Sequence, residues 1–197
     1  MRFGVIADVH CDARLFEIAA KELVDAGVDE ILLAGDAHYE YRFSNEVTEL
    51  IRCHGMRYIA GNHETTLLGP GGRRAREAPH VRKGNLDFVA AAPTTIETMV
   101  DGRRLLMVHG CPWPPYDRYL SPDDRDFRQC GELGVDILIM GHTHIPVIRR
   151  VGRTLVVNPG SLGLSRDPGG FDLISYAIVD TASDDVTMVR RPKPPAL

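Results

Sequence analysis

Residues 3–10 read FGVIADVH, a short apolar run that leads directly into Asp8 and His10. Continuous runs of this length, rich in Ile, Val and Leu, are typical of strands buried on both faces. Four further runs share the pattern, at residues 31–34, 56–60, 105–108 and 137–140. Together with residues 3–7, they predict five short buried strands.

Each predicted strand is followed by residues that can bind a metal ion or transfer a proton. These residues are, in chain order, Asp8 and His10, Asp36, Asn62 with His63 and Glu64, His109, and His142 with His144. In α/β sheets, ligands bind outside the carboxyl ends of the strands, so neighbouring strands would bring the five motifs to one place. The sequence therefore predicts a single functional site at this edge.

Helical periodicity between the strands places the chain in the α/β class. Residues 14–26 carry apolar side chains at helical spacing and are followed by Gly27, a common C-cap residue. Residues 43–53 and 123–133 are predicted to be further helices. Paired strands are predicted at residues 94–100 and 103–109, and again at 146–151 and 153–158. We therefore expect mixed, double-layered sheets in one domain, residues 1–191, and a mobile Pro-rich tail, residues 192–197.

Composition excludes several other classes of protein. The chain has 197 residues, a formal net charge of −4, 44% hydrophobic residues and 25% charged residues, which is ordinary globular usage. No apolar run approaches the roughly 20 residues of a membrane span. The N-terminal residues have no signal-peptide pattern, so we expect a cytoplasmic protein with no membrane partner. The four cysteines show no CxxC spacing and are expected to be reduced.

The side chains of the five motifs have the chemistry of a metal centre. Asp, Asn and His without a cysteine ligand suit divalent ions such as Mn²⁺, Fe²⁺, Zn²⁺ or Ni²⁺. Seven candidate ligands exceed the needs of one ion and are enough for two. Two ions about 3.5–4 Å apart can clamp a phosphoryl oxygen and lower the pKa of a bridging water. Asp36 is the central candidate for a bridging carboxylate.

The order of the motifs resembles that of the calcineurin-like metallophosphoesterases, whose pattern is DxH, GD, GNH(D/E), H and GHxH. Residues 158–161, NPGS, also resemble the small bacterial and archaeal phosphodiesterase branch of that family. Five blocks in one order are far more specific than any single block. The resemblance implies a four-layer αββα sandwich, in which two mixed sheets are flanked by helices.

The resemblance also implies a role for each motif residue. One metal ion would be held by Asp8, His10 and His144, and the second by Asn62, His109 and His142, with Asp36 bridging the two ions. His63 would protonate the leaving-group oxygen or stabilise the developing phosphoryl charge. Glu64 would orient His63.

The implied activity is hydrolysis of a phosphate ester, most simply a phosphodiester, by in-line attack of a metal-bridging hydroxide without a phosphoenzyme. The expected partner is therefore a small phosphate-ester substrate. Relatives that dephosphorylate proteins carry an Asp-Arg pair after GD, and residues 35–42, GDAHYEYR, lack it. This difference disfavours a phosphoprotein substrate.

Two alternative functions share this fold. A binding scaffold, such as the retromer subunit of the superfamily, would be expected to lose ligands or His63, whereas all of these residues are present. A nuclease would need a basic groove, which the net charge of −4 disfavours and the Arg-rich residues 69–84 favour. The oligomeric state stays open.

Several residues outside the motifs are given weaker roles. Residues 69–84 are expected to form a mobile, Gly/Pro-rich loop, whose Arg73 and Arg74 could receive a second anionic group of the substrate. Residues 113–116 could form an apolar rim for a nucleoside or aromatic group. Cys11 and Cys111 are interpreted as space-filling thiols near the metals, and residues 158–161 as a turn beneath the metal loops.

Overall fold

Two five-stranded mixed sheets form the centre of the fold, and the computed structural model describes residues 1–170 and 172–195. The strands are β1 (Arg2–Ile6), β2 (Glu30–Leu33), β3 (Arg57–Tyr58), β4 (Thr95–Val100), β5 (Arg103–Val108), β6 (Ile137–Ile139), β7 (Pro146–Val151), β8 (Thr154–Pro159), β9 (Leu173–Asp180) and β10 (Val186–Pro192). The strand orders are β10-β9-β1-β2-β3 and β4-β5-β6-β8-β7.

Both sheets are mixed: the first has antiparallel strands at one edge, and the second has them at both edges. In the first sheet, β1, β2 and β3 are parallel to one another. Strand β9 is antiparallel to both of its neighbours, β1 and β10. In the second, β5, β6 and β8 are parallel, while β4 and β7 form antiparallel hairpins with β5 and β8. The carboxyl ends of all the parallel strands that precede the motifs can therefore meet at one end of the molecule.

Helices cover the outer faces of the sheets. The α-helices are α1 (Ala13–Asp25), α2 (Asn45–Cys53), α3 (Asn62–Leu68), α4 (Arg73–Arg76) and α5 (Lys83–Ala90), and 3₁₀ helices span Pro70–Gly72 and Arg125–Glu132. The side chains of Asp12 and Ser44 accept hydrogen bonds from backbone amides in the first turns of α1 and α2. These caps explain why each helix begins where the strand-end loop finishes.

Apolar side chains divide into layers, as the four-layer prediction requires. One cluster fills the space between the sheets, with Phe3 and Val5 of β1 facing Met107 of β5 and Ile139 of β6. A second cluster packs α1 and α2 on the outside of the first sheet. A third, which includes Phe127, covers the outside of the second sheet. The αββα prediction is confirmed, because strands buried on both faces need cover on both sides.

Three local predictions differ from the structure in the extent or the type of the element. Residues 56–60 contribute only the two-residue strand β3, which lies at a sheet edge and pairs with β2 alone. Residues 123–133 form a 3₁₀ helix at Arg125–Glu132 rather than an α-helix. Residues 69–84 are not an irregular loop but contain a 3₁₀ turn, α4 and the start of α5. There the Arg76 side chain bonds the carbonyls of Leu67 and Gly69.

The C-terminal segment continues the first sheet. Strand β10 ends at Pro192, and the Lys193 ammonium donates to the Gly163 carbonyl at 2.7 Å. The boundary between a domain at residues 1–191 and a mobile tail stays a prediction, and residues 196 and 197 lie outside the described residues. In the described part of the chain, no helix has the length and apolarity needed to cross a bilayer.

Candidate metal centre

The structure brings all seven predicted metal ligands to the carboxyl edge of the two sheets. The Nε2 atoms of His10 and His144 lie 3.2 Å apart, and Asp8 Oδ1 lies 3.3 Å from His144 Nε2. Asp36 Oδ2 and Asn62 Oδ1 lie 3.0 and 3.1 Å from His109 Nε2. Residues separated by up to 136 positions in the sequence therefore share one buried cluster.

Three overlapping groups of side chains could each hold a metal ion, with ligand atoms within 4.8 Å of one another. The groups are Asp8, His10 and His144; His10, Asp36 and His63; and Asp36, His109 and His142. His10 and Asp36 each belong to two groups. An arrangement with shared members is what a bridging carboxylate between adjacent ions requires.

One buried oxygen shows that the ligand set fits a cation. Asp8 is fully buried, and its Oδ2 accepts a hydrogen bond from the His142 backbone amide at 3.0 Å. Its Oδ1 has no hydrogen-bond partner and lies among ring nitrogens of three histidines. An unpaired buried carboxylate oxygen is costly, and a bound cation removes that cost.

Backbone contacts fix the orientation of three histidine rings. His109 Nδ1 donates to the Ala34 carbonyl at 2.7 Å, and His144 Nδ1 donates to the Leu164 carbonyl at 2.5 Å. His142 Nε2 donates to the Asp117 carbonyl at 2.8 Å. A carbonyl can only accept, so in the neutral ring the other nitrogen keeps a lone pair for a metal ion.

The backbone of the ligand loops is strained. Five of the seven candidate ligands have positive φ angles, namely Asp8 (56°), His10 (51°), Asp36 (53°), His142 (67°) and His144 (61°). Each such conformation costs about 1–3 kcal/mol in a non-glycine residue and persists only where its surroundings enforce it. Concentration of this strain at one cluster is typical of a functional site.

Two glycines are needed because the loops approach each other closely. A Cβ on Gly35, whose φ is +88°, would lie 2.5 Å from His109 Nδ1. A Cβ on Gly61 would lie 2.2 Å from Asp36 Oδ1. Both positions therefore exclude a side chain, which explains the glycines of the second and third motifs.

Glu64 holds the ligand loops together and does not orient His63, so that expectation was wrong. The Glu64 carboxylate is fully buried and accepts hydrogen bonds from the backbone amides of Asp36, His38 and Gly61. From the first turn of α3, Glu64 reaches back to the Gly61 amide, which is one half of a capping box; Gly61 has no side chain to supply the other half. Burial and the neighbouring Asp36 carboxylate raise the pKa of Glu64 to about 7, although the hydrogen bonds from the His38 and Gly61 amides act to lower it.

Glu40 is the partner of His63, and sequence reasoning missed it. The Glu40 carboxylate contacts His63 Nδ1, and His63 Nε2 then lies 3.7 Å from Asp36 Oδ2 on the metal side. A ring held in this way at one nitrogen presents the other nitrogen to the site. The available signal was an acidic residue in the loop just after Gly35-Asp36, in the region where relatives carry their Asp-Arg pair.

Aromatic rings frame the cluster on two sides. Tyr39 lies over His10, with ring centroids 4.7 Å apart, and also meets the His63 ring edge-on. Tyr119 stacks on His142 at 4.0 Å, and the guanidinium of Arg166 lies 5.4 Å from the Tyr119 ring. Arg166 therefore brings a cation to the rim of the cluster, a role that no sequence pattern indicated.

Electrostatics within the cluster favour ion pairs in the metal-free protein. Burial lowers the pKa of His109, but the Asp36 carboxylate outweighs it and raises that pKa to about 10. Burial likewise raises the pKa of Asp36, but His109 brings it well below its usual range. Burial lowers the pKa of His10 to about 4, so this ring is neutral and able to bind a cation at neutral pH.

Arg73 and Arg74 do not come together with the cluster. They lie on α4 and line a separate depression with Pro70 and Pro79, where Arg73 pairs with Glu77 at 3.2 Å. Their substrate-binding role stays a prediction that no contact supports.

The cysteines and the NPGS turn match their sequence interpretation. Cys11 and Cys111 are buried and reduced, and burial raises the pKa of Cys11 to about 11. Ser161 donates to the Asp8 carbonyl at 2.8 Å, and Asn158 donates to the Gly141 carbonyl at 2.7 Å. The turn therefore supports two ligand loops and contains no activated serine.

A family model described as a calcineurin-like phosphoesterase superfamily domain matches residues 1–184. The chain belongs to the calcineurin-like phosphoesterase superfamily. The motif order predicted this membership, and the fold agrees with it. The seven ligands described above are thus the candidate divalent-metal site of a metallophosphoesterase domain.

Proteins from archaea and bacteria are similar to most of the chain. An uncharacterized protein of Methanocaldococcus jannaschii is 28% identical over 95% of this chain and 86% of its own length. A probable metallophosphoesterase of Bacillus subtilis is 30% identical over 75% of this chain and 76% of its own. The crystal structure of a metallophosphoesterase from Sphaerobacter thermophilus superposes with a TM-score of 0.76 and 26% identity, covering 97% of this chain and 88% of that one.

Proposed function

We propose that this protein is a metal-dependent phosphodiesterase with a dinuclear centre. The observation that carries the proposal is the set of three overlapping ligand groups around the unpartnered Asp8 Oδ1. One ion would be held by Asp8, His10 and His144. The other would be held by Asn62, His109 and His142, and Asp36 would bind both ions. Bound divalent ions would neutralise the phosphoryl oxygens and lower the pKa of a water.

The protein's own residues supply the remaining steps. His63, held at Nδ1 by Glu40, would donate a proton from Nε2 to the departing oxygen. The tyrosines above His10 and His142 would limit the access of bulk water to the phosphoryl group. Arg166, at the rim, would add a positive charge for an anionic substrate.

The intact ligand set supports a catalytic protein rather than a non-catalytic scaffold of the same superfamily. A scaffold has no need to maintain five strained ligand conformations or the pairing of His63 with Glu40. The strained conformations cost stability, and the contact between Glu40 and His63 positions a proton donor; both are explained if the protein uses its metals and that donor in catalysis.

Hydrolysis assays with model esters test the proposal. Metal-stripped protein would be resupplied in turn with Mn²⁺, Ni²⁺, Zn²⁺ or Mg²⁺ and assayed with bis-p-nitrophenyl phosphate and p-nitrophenyl phosphate. We expect metal-dependent turnover that favours the diester. His63→Ala should lower kcat by about 100-fold or more for a diester with an alkyl leaving group, and much less for the p-nitrophenyl esters, because p-nitrophenol needs little protonation as it leaves. The exposed His54→Ala serves as the matched control and should retain activity.

Metal content must be measured in the same samples by equilibrium dialysis. Absence of turnover by a folded protein that has bound its metal would contradict the phosphodiesterase proposal and favour the scaffold. Equal loss of activity in the His63 and His54 variants would contradict the proton-donor role.

A further inference from the structure

A cavity of about 830 Å³ opens beside the metal ligands Asn62 and His109. It lies between α3, the start of β4, the end of β5 and the loop that follows β5. Binding sites for small molecules typically enclose about 300–1,000 Å³, so this cavity is large enough for an organic group attached to the phosphate.

The walls of the cavity combine hydroxyl groups with apolar surface. Thr65 and Thr66 of α3 face Thr94 and Thr95 at the start of β4, while Leu106 and Val108 of β5 form an apolar side. Threonine hydroxyls both donate and accept hydrogen bonds, so they suit uncharged heteroatoms. This surface matches a group with an apolar face and a hydrogen-bonding edge.

Away from His109 and the metal centre, the described walls of the cavity offer no positive charge with which to neutralise a second anion. Among its described lining residues there is no lysine or arginine, and Asp117 adds a carboxylate at the mouth. Arg73 and Arg74 line a different depression. An anionic group in the cavity would therefore lose hydration without gaining an ion pair. The occupant is expected to be neutral.

The position of His63 decides which ester group enters the cavity. His63 does not line it but lies against His10 and Tyr39. Hydrolysis forms a bond from water oxygen to phosphorus and breaks the bond to the leaving oxygen, which takes its proton from His63. The leaving group consequently lies at His63, and the second ester group, which stays bonded to phosphorus, is left for the cavity.

We propose that this cavity binds the retained ester group of a phosphodiester, and that this group is uncharged and of nucleoside size, with a ring and hydroxyl groups. This specificity rests on the proposed phosphodiesterase function. The exposed ring of Tyr116 at the cavity supplies a surface on which a flat base can stack. The product would be a monoester of the retained group.

Three p-nitrophenyl diesters with the same leaving group test the proposal on the metal-loaded protein. They are the methyl ester, the thymidine 5′ ester and the thymidine 5′ ester that carries a 3′-phosphate. We expect KM for the thymidine ester to be lower than for the methyl ester by about tenfold or more. The added 3′-phosphate should reverse most of this gain.

Variants of the cavity wall provide a second test. Thr95→Trp narrows the cavity from the β4 side. If that variant fails to fold, Thr66→Trp narrows the cavity from the α3 side instead. Each should lower the ratio of kcat/KM for the thymidine ester to that for the methyl ester by about tenfold. Met99→Trp, on the same strand as Thr95 but 60% exposed to solvent, should leave the ratio unchanged.

The outcomes separate this proposal from the proposed function. Equal KM values for the methyl and thymidine esters, or an unchanged ratio in both cavity variants, would overturn the specificity while leaving the phosphodiesterase intact. If no diester is hydrolysed, binding of the methyl ester of thymidine 5′-phosphate is measured by calorimetry. If this ester binds and either Thr66→Trp or Thr95→Trp weakens its binding, the cavity assignment is supported. Absence of binding overturns the assignment.

Discussion

Replacement of Asp8 by Asn should reverse the order of stability between the metal-free and the metal-loaded protein. In the metal-free wild type, Asp8 Oδ1 is buried without a partner, among the Nε2 atoms of His10, His109 and His144. The Asn side chain keeps an oxygen for the His142 amide and directs an NH₂ group towards His144, 3.3 Å away. The variant therefore removes a buried charge, and its NH₂ group makes a hydrogen bond where Asp8 Oδ1 had no partner.

The expected magnitudes follow from these contacts. An unsatisfied buried polar group costs about 1–3 kcal/mol, so the metal-free variant should be more stable than the metal-free wild type by about that amount. A ligand at 1,000 times its Kd stabilises the folded state by about 4.1 kcal/mol. Under such conditions the wild type should become the more stable protein by about 1–3 kcal/mol, because the variant has lost a charged ligand.

Urea unfolding, followed by circular dichroism at pH 8 with EDTA or with excess Mn²⁺, measures both differences. Asp167→Asn is the matched control, since Asp167 is also buried but is fully paired with Arg190 and the Gly169 amide. The control variant should lose stability equally in both conditions. A metal-free Asp8→Asn protein that is less stable than the wild type would refute the idea that Oδ1 is reserved for a cation.

Three further predictions concern the loops around the cluster. Glu40→Gln should lower kcat by about tenfold for an alkyl leaving group but much less for p-nitrophenol, because it disturbs the proton donor His63; equal losses for both leaving groups would instead indicate a structural role. Gly61→Ala should weaken metal binding by about 10–100-fold in equilibrium dialysis, because its Cβ would displace Asp36. Gly84→Ala, which adds a Cβ in open space, is its control, and unchanged affinity in both variants would contradict the steric argument. His38 is buried and burial lowers its pKa to about 3 from 6.5, so its contribution to stability is present above pH 6.5 and is lost as the pH falls towards 3. Between pH 7 and 5, the metal-free wild type should therefore lose about 2 kcal/mol more than His38→Gln in urea unfolding, and identical losses would disprove the assignment.

Local sequence patterns were sufficient for most of the architecture. Short apolar runs rich in Ile, Val and Leu predicted the parallel strands β1, β2, β5 and β6, because strands buried on both faces leave few polar positions. The Asp101-Gly102 turn likewise predicted the β4–β5 hairpin. The pattern failed at β3, because pairing at a sheet edge depends on a neighbour that the local sequence does not show.

The candidate ligands were predictable for a related reason. Each of the five motifs lies at or just beyond the carboxyl end of a strand, so strand register places Asp8 and Asp36 at the same edge of the first sheet, while His109 follows β5 at the carboxyl edge of the second. Their partners in space were not predictable. Glu64 has the spacing of a residue that could orient its neighbour His63, yet it points into the core and binds three backbone amides.

The sequence by itself determined the ligand types, their order and the sheets that carry them, because these depend on residue chemistry and on contacts between near neighbours. Only the tertiary structure decided that Glu40 holds His63, that Arg73 lies away from the cluster, and that the described residues lining the cavity beside Asn62 include no lysine or arginine. These features depend on how two sheets and their loops meet across long sequence separations. The side-chain contacts that form there leave no periodicity or spacing in the chain.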